Sequence, residues 1–294
     1  MKHGFYTALG TPLNENGELV AAGMTLQVRQ QVEAGVSGLL VLGSMGNMTY
    51  LKNSTYPKVA ACAAEAARGE VPVLVGVTDL SISRVLDRVE ALRGIRGIDG
   101  IVSTVPYYHK LSQDCIVRFY SEISRRSGLP VYLYDLPGVT GTSTTPDTVR
   151  RLWRDPNIRG IKSGNLVTQR ILFRAEDRPE GFSLMFSNLD EFDVAYRYGI
   201  NQNLDGMFSC LPRTARTMYR ALEEGDYALA GTKLDQIIAL RDCFAASGCL
   251  MAAFTHAMNQ IGCEGNFCVD YQFDITDAKK ELVVQMMKDM GELD

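Results

Sequence analysis

Residues 71–105 read VPVLVGVTDLSISRVLDRVEALRGIRGIDGIVSTV and contain one complete strand–helix–strand unit. Short apolar, β-branched runs at 71–77 and 99–105 predict two strands. The segment between them, 81–94, has apolar residues at three- and four-residue spacing and ends in glycine, which predicts an amphipathic helix. Strands that are apolar on both faces and alternate with helices predict a parallel sheet covered by helices.

The same alternation runs along most of the chain. Further strands are predicted at 4–9, 38–43, 131–135, 158–162, 183–187 and 204–209. Further helices are predicted at 24–35, 54–69, 115–128, 145–155 and 189–199. Eight such units fit a (β/α)8 TIM barrel, which takes about 250 residues. A doubly wound open sheet is less favoured, because no GxGxxG motif follows the first strand.

The rest of the chain is predicted to be helical throughout. Helical patterns lie at 223–247, 250–262 and 276–291. The prediction is therefore a catalytic barrel at 1–225 and a C-terminal three-helix extension at 226–294. The extension is expected to pack on the barrel, because no low-complexity linker separates the two parts.

Composition excludes several classes of partner. The chain has a net charge of −4, a pI near 5.5 and no run of Lys or Arg, so no nucleic-acid surface is predicted. No apolar stretch approaches the ~20 residues that span a bilayer, and the N-terminus lacks the apolar core of a signal peptide. A cytoplasmic protein that does not bind membranes is expected. Seven cysteines without a CxxC motif and three scattered histidines predict free thiols and no metal site.

Several reactive side chains lie at the ends of predicted strands or just after them, at the end of a TIM barrel where catalysis takes place. They are Thr11, Ser44, Tyr107, Tyr108, Tyr134, Lys162 and Ser209. Lys162, in IRGIKSGN, ends an apolar strand, where desolvation frees its amine to attack a carbonyl. Tyr134 is placed to move protons, and the turn GSMGN would aim the backbone N–H groups of Met45 and Gly46 at a carboxylate. Together these residues fit a 2-oxo acid bound as an imine.

Each of these residues also has a plain structural alternative. Lys162 is compatible with a salt bridge at the barrel rim, and Tyr134 with a core aromatic whose hydroxyl is hydrogen-bonded. Ser44 is compatible with a turn position, and Tyr107 and Tyr108 with interface packing. Spacing alone leaves these alternatives open.

Six motifs, taken together, carry a resemblance to a known family. They are GTPLNENG, GSMGNMTYL, PYYHKLSQD, YLYDLPGVTG, GIKSGN and LDGMFS. In order and spacing they resemble the motifs of the dihydrodipicolinate synthase/N-acetylneuraminate lyase family, over essentially the whole chain. The resemblance implies a (β/α)8 barrel with C-terminal helices, usually a homotetramer. It also implies a class I aldolase, lyase or dehydratase that works through a lysine–pyruvate imine, with no metal or organic cofactor.

The resemblance implies roles for four residues. Lys162 matches the family's Schiff-base lysine, and Tyr134 matches the proton-shuttling tyrosine of its YNxP motif. Ser44 matches the hydroxyl residue of the G-[ST]-T-G-E loop, which relays protons and helps to hold the pyruvate carboxylate. Tyr108, the second tyrosine of PYY, matches one that reaches the site of a neighbouring subunit.

Four positions depart from the family pattern. Met45 stands where the loop usually has threonine, and Asn47 where it has glutamate, so the loop offers a backbone N–H in place of one hydroxyl. Asp135 replaces the asparagine of YNxP. Val139 stands where dihydrodipicolinate synthases carry an arginine that grips the carboxylate of the second substrate, which counts against a role in lysine biosynthesis.

A further stretch, SNLDEF, resembles sialate lyases. Its acids, Asp190 and Glu191, match the pair that binds polyol hydroxyls, for which carboxylates are suitable acceptors. Acids that favour a helix start are the structural alternative. Gly164 and Cys210 occupy two further substrate-binding positions, where sialate lyases have threonine and serine.

The expected function is a pyruvate-dependent lyase or aldolase on the N-acetylneuraminate lyase side of the family. Such an enzyme cleaves a sugar-acid-like 2-oxo acid to pyruvate and an aldehyde. A first alternative is condensation of the dihydrodipicolinate synthase kind, or an aldolase or dehydratase of 2-keto-3-deoxy sugar acids. A second alternative, motivated by Met45 and Asn47, is a regulator that binds a 2-oxo acid without catalysis.

Overall fold

The chain forms a closed barrel of eight parallel strands, as the sequence predicts. The computed structural model describes residues 1–294. Each strand pairs with the next along the chain, and β8 pairs with β1. The strands are β1 (Gly4–Ala8), β2 (Gly38–Val41), β3 (Val73–Gly76), β4 (Gly100–Thr104), β5 (Val131–Asp135), β6 (Ile158–Ser163), β7 (Ser183–Phe186) and β8 (Gln202–Asp205). Closure in chain order brings the carboxyl ends of all eight strands to one mouth.

Helices surround the barrel and continue past it. They are α1 (Ala21–Glu33), α2 (Tyr56–Ala67), α3 (Ile82–Ala91), α4 (Gln113–Ser127), α5 (Pro137–Thr140), α6 (Pro146–Leu152), α7 (Leu166–Arg174), α8 (Phe192–Arg197), α9 (Pro212–Glu224), α10 (Tyr227–Ala245), α11 (Leu250–Gln260) and α12 (Asp277–Asp289). The last three form the predicted three-helix extension. None of the helices has the length and apolar character that a membrane crossing requires.

Side-chain caps explain where several barrel helices begin. Ser81, Ser112 and Thr145 precede α3, α4 and α6, and each hydroxyl accepts a hydrogen bond from the backbone N–H three residues further on. Such bonds satisfy N–H groups that have no partner within the helix. The short helix α5 follows β5 directly and begins at Pro137, whose missing N–H suits a first helical position.

Alternate side chains of the strands fill the barrel interior, and those between them face the helices. The interior cluster consists of Tyr6, Ala8, Leu40, Leu74, Val102, Tyr132, Tyr134, Met185 and Leu204. A second cluster of 70 buried residues runs from the barrel helices into α10, α11 and α12. The division into two domains near residue 225 stays a prediction, because one apolar core joins the two parts.

The predicted position of the eighth strand is wrong. Residues 207–209 form a 3-10 turn, so Ser209 lies beyond β8 rather than at its end. The strand begins at Gln202, which is polar yet buried and therefore gives no apolar signal. It ends at Asp205, whose carboxylate accepts a hydrogen bond from the N–H two residues further on, at 2.8 Å.

The C-terminal segment caps a barrel helix. Helix α9 has no side-chain cap of its own. Glu292, which is 4% exposed, accepts hydrogen bonds from the backbone N–H groups of Arg213 and Thr214 at 3.0 and 2.9 Å. It also accepts one from the Thr214 hydroxyl at 2.8 Å. The segment after α12 thereby satisfies the first turn of α9, 78 residues earlier in the chain.

Truncating this cap should destabilise the whole barrel. Glu292→Ala leaves two buried N–H groups and one hydroxyl without a partner, so the free energy of unfolding should fall by about 3 kcal/mol. Chemical denaturation of wild type and variant at pH 7 measures this change. Glu292→Gln keeps one acceptor oxygen and should lie between the two. An unchanged midpoint for Glu292→Ala would show that solvent replaces the cap.

The cap should also make stability depend on pH. Burial raises the pKa of the Glu292 carboxyl above its ordinary value of 4.5, although the hydrogen bonds from Arg213 and Thr214 act to lower it. The folded state therefore holds this proton more tightly than the unfolded chain does. The contribution of Glu292 to stability should fall as the pH rises from about 4.5 through the raised pKa. The same titration of Glu292→Gln should lack that component.

Candidate active site

Lys162 is a buried lysine that forms no ion pair, although the Asp205 carboxyl is near enough to interact with its charge. It lies on β6, next to Tyr134 of β5 in the strand register, and is 7% exposed. Its Nζ atom lies 3.9 Å from the centre of the Tyr134 ring, over the aromatic face. No carboxylate forms an ion pair with it, so the structure does not bear out the salt-bridge alternative. An amine held in this way is available to attack a carbonyl.

The ring that contacts this amine carries a hydroxyl, and a second hydroxyl lies next to the first. The Tyr134 hydroxyl is 3.3 Å from Ser44 Oγ, and either atom can donate. Tyr134 is 5% exposed and belongs to the barrel interior, whereas Ser44 is exposed at the mouth. The pair therefore connects solvent to the ring on which the ammonium rests. Two hydroxyls in contact, each both donor and acceptor, form the start of a proton relay.

The loop after β2 leaves two backbone N–H groups free. Thr11 Oγ donates to the Gly46 carbonyl at 2.8 Å, and the Gly46 N–H donates to the Gly43 carbonyl at 3.0 Å. The N–H groups of Ser44 and Met45 have no acceptor in the protein. A Cβ on Gly46 would lie 2.9 Å from the backbone of residue 42, so only glycine fits this turn. Adjacent unpaired N–H groups in a turn are a site for an anion.

Asn47 has a structural role that explains its presence in the loop. Its φ of +56° lies in the left-handed region, which asparagine tolerates better than most residues. Its Nδ2 atom donates to the Phe267 carbonyl at 2.7 Å. This bond ties the loop to the segment after α11, and a glutamate side chain could not donate it.

Asp135 supports the neighbourhood of Lys162. Its carboxylate accepts hydrogen bonds from the Thr144 N–H and from Ser163 Oγ, each at 2.9 Å. Burial raises the pKa of the Asp135 carboxyl, although these two hydrogen bonds act to lower it. Asp135 therefore joins the end of β6 to the segment that follows α5.

Removing this carboxylate should lower the stability of the fold, whereas the imine on Lys162 should still form. Asp135→Ala leaves the buried Thr144 N–H and Ser163 hydroxyl unpaired, so the free energy of unfolding should fall by about 2 kcal/mol. Asp135→Asn keeps one acceptor oxygen and should lose less than half of that. Thermal unfolding of both variants measures the difference. Equal losses for the two would show that the charge, and not the hydrogen bonds, matters.

Asp190 is held by a residue that sequence analysis missed. Arg241 of α10 donates to both Asp190 oxygens, at 2.5 and 3.0 Å, and also contacts Asp242 at 2.8 Å. The hydrogen bond from Arg241 holds the pKa of the Asp190 carboxyl below its ordinary value. Glu191 accepts a bond from Asn188 Nδ2 at 3.2 Å. No local pattern in the sequence marks Arg241, because its partner lies 51 residues away.

Some of the other predicted site residues lie at the barrel mouth, and the rest are buried. Tyr107 and Gly164 are half-buried at the mouth, whereas Tyr108 is 79% exposed with its ring edge-on to His109. Ser209 Oγ donates to the Ala8 carbonyl at 2.9 Å. Cys210 is wholly buried, and burial raises the pKa of its thiol well above the ordinary value. The side chains of Thr11, Ser209 and Cys210 each donate a hydrogen bond to a backbone carbonyl of the protein. Their direct contact with substrate stays a prediction.

A buried, unpaired lysine beside a hydroxyl pair, at the mouth of a (β/α)8 barrel, is typical of enzymes that form Schiff bases to make or break carbon–carbon bonds. One family of this class accounts for nearly the whole chain. Residues 1–289 match the Dihydrodipicolinate synthetase family, and the chain belongs to it. The predicted family and the enzyme class, a Schiff-base-forming carbon–carbon lyase, are thereby confirmed.

Named relatives agree with this assignment. A 4-hydroxy-tetrahydrodipicolinate synthase from Methylococcus capsulatus is 31% identical over 234 residues, which cover 78% of this chain and 79% of the relative. One from Ligilactobacillus salivarius is 28% identical over 233 residues, covering 79% and 80%. These relatives carry the synthase name, so the narrower expectation of an N-acetylneuraminate lyase stays a prediction.

Solved structures share the fold. The dihydrodipicolinate synthase from Thermotoga maritima superposes with a TM-score of 0.89 at 24% identity, and all of both chains is covered. A prophage protein of the dihydrodipicolinic acid synthase family from E. coli K12, solved in complex with pyruvate, has a TM-score of 0.88 at 21% identity, with 99% of each chain covered.

Proposed function

We propose that the protein condenses pyruvate with an aldehyde through an imine on Lys162. The observation that carries this proposal is the buried Lys162 amine, unpaired and resting on the Tyr134 ring. Its nitrogen attacks the pyruvate carbonyl carbon, and the carbonyl oxygen leaves as water. The iminium lets the methyl carbon lose a proton, and the resulting enamine attacks the aldehyde carbon. Hydrolysis then releases the product and restores the amine.

Tyr134 and Ser44 are proposed to move the protons of these steps. The Tyr134 hydroxyl lies on the ring that contacts the amine, and Ser44 extends the hydroxyl pair to the exposed mouth. The carboxylate of pyruvate is proposed to bind the free N–H groups of Ser44 and Met45. Such bonds to an anion are stronger than bonds between neutral groups.

Condensation is favoured over cleavage by two observations. The relatives described above are named synthases. Cleavage of a sugar acid such as N-acetylneuraminate is the second candidate, because Asp190 and Glu191 lie in the turn after β7. That candidate needs free carboxylates for sugar hydroxyls, and both Asp190 oxygens are bound to Arg241.

Borohydride trapping tests the imine. The protein is incubated with pyruvate, reduced and digested, and the added mass is located by mass spectrometry. We expect the pyruvate-derived adduct on Lys162. Folded protein that yields no adduct at this residue would overturn the proposed function.

A substrate panel separates condensation from cleavage. Pyruvate is offered with aldehydes that bear carboxylate, amino, hydroxyl or alkyl groups, and 2-oxo acids including N-acetylneuraminate are offered alone. We expect product with at least one aldehyde. Release of pyruvate from a sugar acid at a higher kcat/KM would favour the second candidate.

The assembly is proposed to be a homotetramer in which Tyr108 completes the site of a neighbouring subunit. The match of Tyr108 to the family's intersubunit tyrosine supports this role, and its 79% exposure in the single chain leaves the ring available for such a contact. Sedimentation velocity distinguishes a tetramer from the 32.4 kDa single chain. A protein that is active and sediments as a monomer would exclude this role for Tyr108.

A further inference from the structure

Two thiols meet where α11 begins. Cys249 is the residue that precedes α11 and is half-buried, whereas Cys268 belongs to the segment between α11 and α12 and is 7% exposed. Both cysteines are free, and the Cys249 thiol lies within hydrogen-bonding reach of the Cys268 thiol. Cys268 Sγ is also 3.6 Å from Thr255 Oγ1, a contact that holds this segment against α11. The chain thus brings together two thiols that are 19 residues apart in the sequence.

A small oxidant can reach this pair of thiols. Cys249 is only half-buried, and Cys268 lines a cavity of about 330 Å³ together with His256 and Lys280. A water molecule takes about 30 Å³ in the liquid, so the cavity has room for hydrogen peroxide. Burial raises the pKa of the Cys268 thiol to about 11, which keeps this thiol protonated near pH 7. Cys249, the more exposed of the two, is therefore the thiol that an oxidant meets first.

We propose that Cys249 and Cys268 form a redox-modification site that peroxides convert to a disulfide. The Cys249 sulfur attacks one peroxide oxygen and the O–O bond breaks, which gives a sulfenic acid and one water. The Cys268 sulfur then attacks the Cys249 sulfur and displaces the hydroxyl as a second water. The two thiols lose two electrons and two protons, and the peroxide accepts both pairs. Exchange with small thiols reverses the step, so the disulfide is a sensor rather than a permanent cross-link.

The modified segment holds the loop after β2. The carbonyl of Phe267, one residue before Cys268, accepts the hydrogen bond from Asn47 Nδ2 at 2.7 Å. The Phe267 N–H donates to Thr255 Oγ1 at 3.0 Å. A disulfide fixes its sulfur atoms about 2.05 Å apart, which is closer than two thiols in contact, so its formation pulls Cys268 toward the start of α11. This movement displaces the Phe267 carbonyl relative to Asn47.

Oxidation should therefore weaken the binding of pyruvate. Asn47 belongs to the loop whose free N–H groups, on Ser44 and Met45, are proposed to bind the pyruvate carboxylate, so this consequence rests on the proposed function. Loss of one buried hydrogen bond that holds the loop should raise KM for pyruvate by about 5-fold. Lys162 and Tyr134 lie on other strands, so kcat should stay within about 2-fold.

Peptide mapping without reductant tests the site. The protein is treated with hydrogen peroxide, its remaining free thiols are blocked with iodoacetamide, and the digest is analysed by mass spectrometry. We expect a linked pair of peptides that joins Cys249 to Cys268, lighter by two hydrogens than the two thiol peptides, which dithiothreitol separates again. Folded wild type that yields no such pair would overturn the site.

Pyruvate kinetics test the connection to the loop. KM of wild type should rise on oxidation and return with dithiothreitol, whereas KM of Cys249→Ser and of Cys268→Ser should not respond to peroxide. Cys243→Ser, which changes a half-buried cysteine of α10, should behave as wild type. Melting temperatures verify that each variant is folded. A disulfide that forms in wild type and leaves KM unchanged would overturn the connection.

A further variant tests the path from the disulfide to the loop. Asn47→Gly removes the amide that bonds to Phe267, and glycine tolerates the positive φ at this position. Its KM should already be raised in the reduced protein, and oxidation should add little, since both changes break the same bond. Reduced wild type that traps no pyruvate would overturn the proposed function instead, while the peptide map still decides whether the disulfide forms.

Discussion

Replacing Lys162 by alanine should abolish the capture of pyruvate and lower turnover on the order of 10⁴-fold or more, as loss of a covalent nucleophile does. The reason is that no other amine lies against the Tyr134 ring, so no second residue can carry the imine. Borohydride trapping and steady-state kinetics with the best aldehyde measure the two effects. Stability should change little, because the variant removes a buried ammonium that forms no ion pair but also removes its electrostatic attraction to the Asp205 carboxyl.

Two variants serve as controls for this result. Lys162→Arg keeps the positive charge but cannot form the imine, so it should be as inactive as the alanine variant. Lys110→Ala removes an exposed lysine from the loop after β4 and should retain the adduct. Trapping that persists in Lys162→Ala and disappears in Lys110→Ala would show that the imine forms on Lys110 and not on Lys162.

Tyr134→Phe should lower kcat by about 10²- to 10³-fold, which is the usual range for a positioned proton-transfer group. The ring that supports the ammonium remains, and only the hydroxyl next to Ser44 is lost. The adduct on Lys162 should therefore still form, more slowly. Stopped-flow and trapping kinetics at several pH values separate imine formation from the later carbon–carbon step.

Matched variants test whether the hydroxyl acts in a relay. Tyr132→Phe removes a hydroxyl from the same strand, one layer deeper in the barrel interior, and should leave kcat within about 2-fold. Ser44→Ala and Tyr134→Phe should be less than additive when combined, since they break one chain of hydroxyls. Full additivity would mean that the two residues act in separate steps.

The barrel follows from local patterns in the sequence. Short runs that are apolar on both faces, separated by amphipathic segments, predict a parallel sheet covered by helices, and eight of them close into a ring. The candidates Tyr134 and Lys162 could be recognised because each ends a predicted strand. Barrel closure in chain order then makes β5 and β6 neighbours. Neither segment alone, however, determines the strand register that places the amine over the ring.

The surroundings of the site depend on tertiary structure. Arg241 reaches Asp190 across 51 residues, and Asn47 reaches Phe267 across 220. Neither pair has a periodic or local signal, because each depends on how the C-terminal extension packs on the barrel. The contact of Met45 with Gly206 likewise requires β8 to close against β1. Periodic burial along the chain thus determines the barrel and the strand ends that carry the chemistry, whereas long-range packing decides which carboxylates, N–H groups and apolar side chains surround the lysine.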